Sequence, residues 1–115
     1  MTLQATDIVL SIFLFIIAGI AEIGGGYLIW KGIRDKWHPS LSIPLGCFAL
    51  IIYGFIPTFQ PMDNFGRLFA IYGGFFIVLS YCWAMVFENM VVDKGDIIGA
   101  SIAMLGVCIC WFWPR

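Results

Sequence analysis

Four apolar stretches, each about as long as a bilayer is thick, leave this chain few folds to choose from. They run over about residues 7–30, 41–59, 68–87 and 97–113, with three short polar breaks between them. At about 1.5 Å of rise per residue, a helix needs ~20 apolar residues to cross the hydrocarbon layer. Inside lipid every backbone N–H and C=O must be satisfied within the chain, so a spanning segment is a helix or a strand of a closed barrel. Barrel strands alternate apolar and polar residues, whereas these segments are apolar on all sides. The expected fold is all-α: a single four-helix transmembrane domain over residues 1–115, with no linker or soluble appendage.

Composition and charge narrow the function classes. Only 11% of the 115 residues are charged and 62% are hydrophobic, where a soluble domain carries about 25% charged residues. The formal net charge is −1, and no basic patch is present to neutralise phosphates, which excludes nucleic acid as a partner. No basic region precedes the first apolar run, and that run is too long for the core of a cleavable signal peptide. Cys47, Cys82, Cys108 and Cys110 all fall inside apolar segments and read as small packing residues. Cys108-x-Cys110 lacks the two further ligands that zinc would need, so neither a metal nor a cofactor is expected. With no nucleophile–base pair and no phosphate-binding loop in view, the chain does not read as an enzyme.

Cations set orientation in a membrane. Lys31, Arg34, Lys36 and Lys94 lie in the first and third breaks, against Arg67 and Arg115 on the other side. The bias places those two loops in the cytoplasm and both termini outside. Trp30, Trp37, Trp111 and Trp113 stand near segment ends, where indoles anchor at the interface. His38 reads as a solvated loop residue, and Pro44 and Pro57 lie near the ends of the second helix, where a missing N–H matters least.

One carboxylate cannot be moved into a loop. Glu22 sits within the apolar run from Ile8 to Ile29, where an ionised side chain costs on the order of 3 kcal/mol by insertion scales. Its helical neighbours three and four positions away are Ala18, Gly19, Gly25 and Gly26, all small. Small residues admit a second helix, or leave room for water and a ligand beside the carboxylate. The alternative is a structural Glu satisfied by a tyrosine hydroxyl or an indole N–H, with the glycines serving only helix packing.

Two later stretches add to the site. On the third segment Phe69, Tyr72, Phe76 and Trp83 form one stripe at helical spacing, with Gly73 and Gly74 beside it. Aromatic faces attract organic cations, although such a stripe also suits core or lipid contact. On the fourth segment Gly99, Ala103 and Gly106 share a face and read as a close helix seam, within one chain or between two. Four helices of this length enclose too little space for a drug-sized ligand, whose pockets take ~300 Å³ or more. A path between two copies, each offering one Glu22, resolves that.

These motifs carry a resemblance. Ala21-Glu22-Ile23-Gly24-Gly25, Ala70-Ile71-Tyr72-Gly73-Gly74, Asp93-x-x-Asp96-Ile97-Ile98-Gly99-Ala100 and the closing Pro114-Arg115 resemble the YnfA family of four-helix bacterial inner-membrane proteins. That family is related to the small multidrug resistance (SMR) transporters of the drug/metabolite transporter superfamily. The resemblance spans about Ala18 to Arg115. It implies that Glu22 stands where SMR proteins carry the carboxylate that binds protons or a cation. It also implies that Phe69 and Tyr72 replace an SMR Tyr–Trp pair, and that Gly99 and Gly106 match a dimer seam. SMR chains form antiparallel homodimers; the modest charge bias here leaves a parallel dimer open.

The expectation that follows is a homodimer in the bacterial inner membrane that exchanges protons for small organic or aromatic cations at Glu22. An apolar site favours the protonated carboxyl, and two nearby copies would titrate as a pair. Tyr72 would bond Glu22, with Phe69 and Phe76 lining the cavity. The alternatives are a passive small-ion channel, or a non-transporting scaffold or accessory subunit.

Overall fold

The computed structural model describes residues 4–115, and among these the regular structure is helical throughout. Helix α1 spans Ala5–Arg34, α2 Pro39–Phe55, α3 Phe65–Phe87 and α4 Lys94–Phe112, and α2 continues into a 3-10 turn at Ile56–Phe59. All four helical segments are long and apolar enough to cross a membrane. The four expected helices are present, but most of their ends move, for local reasons.

Helix α1 runs four residues past the apolar stretch, through Lys31 and Arg34. Cations in a last turn complement the partial negative charge of the helix C-terminus. Both also lie over rings: the Arg34 guanidinium is 4.5 Å from the Trp30 centroid and Lys31 Nζ 5.6 Å from that of Tyr27. Helix α2 starts at Pro39, whose fixed φ and missing N–H suit a first helical position. The α-helical ladder of α2 stops at Phe55 because Pro57 has no N–H to donate; Ile56 N–H turns to Tyr53 O, and the last turn tightens.

The starts of α3 and α4 are set by side-chain caps. Asn64 Oδ1 accepts from Arg67 N–H at 2.8 Å. Asp93 and Asp96 form a reciprocal capping box, with Asp96 N–H on Asp93 Oδ1 at 2.8 Å and Asp93 N–H on Asp96 Oδ2 at 3.1 Å. The Asp-x-x-Asp spacing thus starts a helix, three residues earlier than the apolar stretch does.

The chain divides into two compact units. One holds residues 12–60; the other holds the described residues up to Ser11 together with Pro61–Arg115. In the first, α1 and α2 pack antiparallel and come close enough for backbone contact at two glycines. A Cβ added to Gly25 would lie 2.8 Å from Gly46 O, and one on Gly46 would lie 2.6 Å from Gly25 O and 3.1 Å from Ile29 N. Nearer the loop, the Ser42 hydroxyl donates to Leu28 O, and Gly32 faces Ile43. In the second unit, α3 and α4 pack antiparallel around Gly74, which receives the Val107 side chain. Phe75 meets Trp111 edge-on at 5.8 Å, and at the other end the Tyr81 hydroxyl bonds the Asp96 carboxylate.

Most large apolar side chains point outward. Phe48, Ile51, Ile102 and Leu105 are all at least 60% exposed, which only a lipid or protein cover makes tolerable. The cysteines share this position. All four are free and exposed, so they are not the core-packing residues that sequence suggests. In lipid an apolar side chain gains nothing by turning inward.

Candidate functional site

Glu22 lies mid-way along α1, half-buried, on the face that meets α2. The stripe is regular: Ala18, Glu22, Gly25, Ile29 and Gly32 recur every three or four residues, opposite Ser42, Gly46, Ala49 and Tyr53 on α2. Gly25 meets Gly46, Ala49 and Leu50, so one turn toward the N-terminus Glu22 comes opposite Tyr53. The Tyr53 hydroxyl is hydrogen-bonded to the Glu22 carboxylate.

The backbone contact explains why this pair can form. With no Cβ at Gly25 or Gly46, the two helices approach until an oxygen of one nearly touches the other's backbone. That closeness brings a short acidic side chain within reach of a tyrosine across the seam. Of the four small residues expected around Glu22, Ala18, Gly19 and Gly25 are buried. Gly26 is exposed, with open space where a Cβ would stand.

Sequence reasoning did not single out Tyr53. It singled out Tyr72, which belongs to the other unit. There Tyr72 is 6% exposed and sits in a ladder of ring contacts along α3. Phe69 and Tyr72 are 6.2 Å apart, Tyr72 and Phe76 6.0 Å, and both pairs are edge-on. Phe69 and Phe76 are half-buried, so these three rings form one surface, while Trp83, the fourth member of the expected stripe, packs on Phe87 at 4.3 Å. Of the adjacent glycines, Gly74 is consumed by Val107 packing, while Gly73 faces open space.

On α4 the expected seam looks outward. Gly99 and Gly106 are exposed and Ala103 half-buried, and nothing lies within 4 Å of a Cβ built on either glycine. Trp111 departs from expectation, while His38 is the exposed loop residue that was expected. Trp111 is 6% exposed, held against Phe75 and stacked on Phe112 at 5.0 Å, so it is a packing residue more than an interfacial anchor. His38 is exposed at the start of α2 with φ 41° and meets the Trp37 ring edge-on. Among the described residues no group of His, Cys, Asp and Glu is arranged to hold a metal ion.

The chain is similar to known membrane proteins. The family described as "Uncharacterised BCR, YnfA/UPF0060 family" matches residues 8–115. A UPF0060 membrane protein of Clostridium beijerinckii is 48% identical over 110 residues, covering 95% of this chain and 98% of its own. The UPF0060 membrane protein YfjF of Bacillus subtilis is 46% identical over 106 residues, 92% of this chain and 96% of its own. One from Clostridium perfringens reaches 50% over 106 residues, 91% and 95% respectively. No solved structure matches.

Proposed function

The chain belongs to the YnfA/UPF0060 family of membrane proteins, and from that premise we propose that it is a homodimeric, proton-coupled exporter of small organic or aromatic cations. The observation that carries this reading is Glu22: a carboxylate in the middle of a membrane-spanning helix, half-buried, with a tyrosine hydroxyl as its partner. An ionisable group at that depth is expensive and marks ion or proton paths. Proton and cation compete for the same oxygens, so binding one ejects the other. Tyr53 holds the carboxylate in place and can shift its hydrogen bond as the charge comes and goes. Within the α3/α4 unit, Tyr72, Phe69 and Phe76 present ring faces of the kind that attract organic cations.

The outward stripe Gly99, Ala103 and Gly106 supports pairing of two chains, each contributing one Glu22. The cation bias of the first and third loops supports an inner-membrane orientation with both termini outside. On this reading the protein is a carrier and not an enzyme, and its partners are a second copy, protons, the cation and the bilayer.

The test is proton flux in proteoliposomes, with tetraphenylphosphonium and ethidium among the added cations, run beside Glu22→Gln. Cation-triggered proton movement that disappears in the variant is the expected result. Cation affinity should also rise with pH, because the carboxylate must lose its proton to bind, and fall as acidification restores that proton. Silence across the panel in both proteins would overturn transport in favour of a scaffold role. Flux that ignores the proton gradient would favour a channel.

A further inference from the structure

Away from Glu22, one end of the α3/α4 pair holds a cavity of about 250 Å³. It falls short of the ~300 Å³ at which drug-sized pockets begin, so it suits a smaller group. Its buried apolar part is Ile71 and Trp111, only 1% and 6% exposed. Arg67, Arg115, Asp63 and Trp113 also line it, and all four are exposed. A buried apolar floor under a charged rim is the profile of a site for an amphiphile.

The charges are more informative than the volume. The chain has six Lys and Arg, and four of them belong to the first and third loops. The remaining two, Arg67 at the start of α3 and Arg115 at the C-terminal end, both line this one cavity. Both are Arg, whose planar fork fits phosphate oxygens two at a time and never loses its charge. Arg115 is also tethered: its Nη1 donates to Cys110 O at 2.9 Å, at the carbonyl end of α4. Arg67 occupies the first turn of α3, where the positive end of that helix adds to its field.

Two further features select among phosphate-bearing groups. Asp63 puts a carboxylate on the same rim, which opposes a purely anionic ligand and suits one that also carries a cation. Trp113 brings an exposed indole to the rim, and indole faces favour ammonium groups. Trp111 and Trp113 lie at the end of a spanning helix, at the depth of lipid headgroups.

We propose that this cavity binds the headgroup of a zwitterionic phospholipid with a primary ammonium, that is, phosphatidylethanolamine. Arg67 and Arg115 hold the phosphodiester, Asp63 takes the ammonium, and the Ile71–Trp111 floor covers the glycerol end. The site lies within the α3/α4 unit and does not depend on the transport reading.

Native mass spectrometry of the full chain, released from detergent with equal amounts of phosphatidylethanolamine and phosphatidylglycerol, tests this. One bound phosphatidylethanolamine per chain is expected, with little phosphatidylglycerol. Arg67→Gln should lower its retention about tenfold, the order expected for losing one charge-assisted bidentate contact. Arg67→Lys, which keeps the charge without the fork, checks that the loss is not misfolding and should retain an intermediate amount. Asp63→Asn should shift the choice toward phosphatidylglycerol while total bound lipid stays the same. Equal retention by the wild type and the Arg67→Gln/Arg115→Gln double variant would overturn the proposal. So would a wild-type preference for phosphatidylglycerol, or displacement of the lipid by free phosphoethanolamine at equal concentration, which would make the ligand a soluble phosphate ester.

Discussion

Both helix pairs bury a glycine at their contact, but against different things. In α1/α2, Gly25 and Gly46 meet backbone to backbone; in α3/α4, Gly74 meets the side chain of Val107. A side chain can be trimmed or turned to another rotamer, while a backbone oxygen in a helical ladder cannot leave without breaking the ladder. The first contact is therefore rigid and sets the separation of its helices. The second is adjustable. The polar pair Glu22–Tyr53 belongs to the rigid contact, where a fixed spacing keeps a carboxylate and a hydroxyl in register.

The backbone contact is most vulnerable at Gly46. Its alanine variant places a Cβ against Gly25 O, Ile29 N and Ile29 Cγ1, and overpacking of this kind costs about 1–3 kcal/mol or more. Thermal unfolding in detergent should show a large loss that Ile29→Ala does not restore, since only one of those three atoms is trimmed. Full restoration would show that the contact is not a backbone one. Gly74→Ala should be destabilising on the same scale of ~1–3 kcal/mol, yet here Val107→Ala removes the two Cγ atoms and leaves only Val107 Cβ at 2.9 Å, so it should recover part of the loss, and a double-mutant cycle measures the coupling. Absence of recovery would mean that the two pairs do not differ as described.

Tyr53→Phe tests the polar pair itself, with an expected loss of about 0.6–1.7 kcal/mol, the range for hydrogen bonds between membrane helices. The loss should vanish in a Glu22→Gln background only if the hydroxyl's partner is the charged carboxylate; a glutamine that still accepts the bond would preserve part of it. The smallest effects belong to Gly26 and Gly73, where an added Cβ meets nothing within 4 Å. Alanine there should leave stability unchanged or raise it by up to ~1 kcal/mol, because Ala is the better helix former. A clear drop at either position would place a second chain against it.

The spans of the four helices were legible because length and hydropathy alone decide what crosses a membrane. Their ends were less so, since Asn64, Asp93 and Asp96 act through specific hydrogen bonds to the backbone that hydropathy does not register. Glu22 stood out because a carboxylate is costly at that depth. Tyr53 did not, although Ser42, Gly46, Ala49 and Tyr53 form a stripe at helical spacing. A stripe on one helix gains meaning only once its opposite number is known, and that pairing is a fact of three dimensions. The cysteines and Trp111 went astray for a shared reason: in a membrane, apolarity does not separate inside from outside.

The Glu22–Tyr53 pair also has a history within each molecule. A ribosome adds about 5–20 residues per second, so Tyr53 emerges a few seconds after the carboxylate it will bond. During that interval α1 carries its most awkward side chain with no partner from α2. Because the answering hydroxyl comes from the next helix to be made, the first hairpin can close before α3 exists. The protein need not wait for its own completion to shelter its one mid-membrane acid.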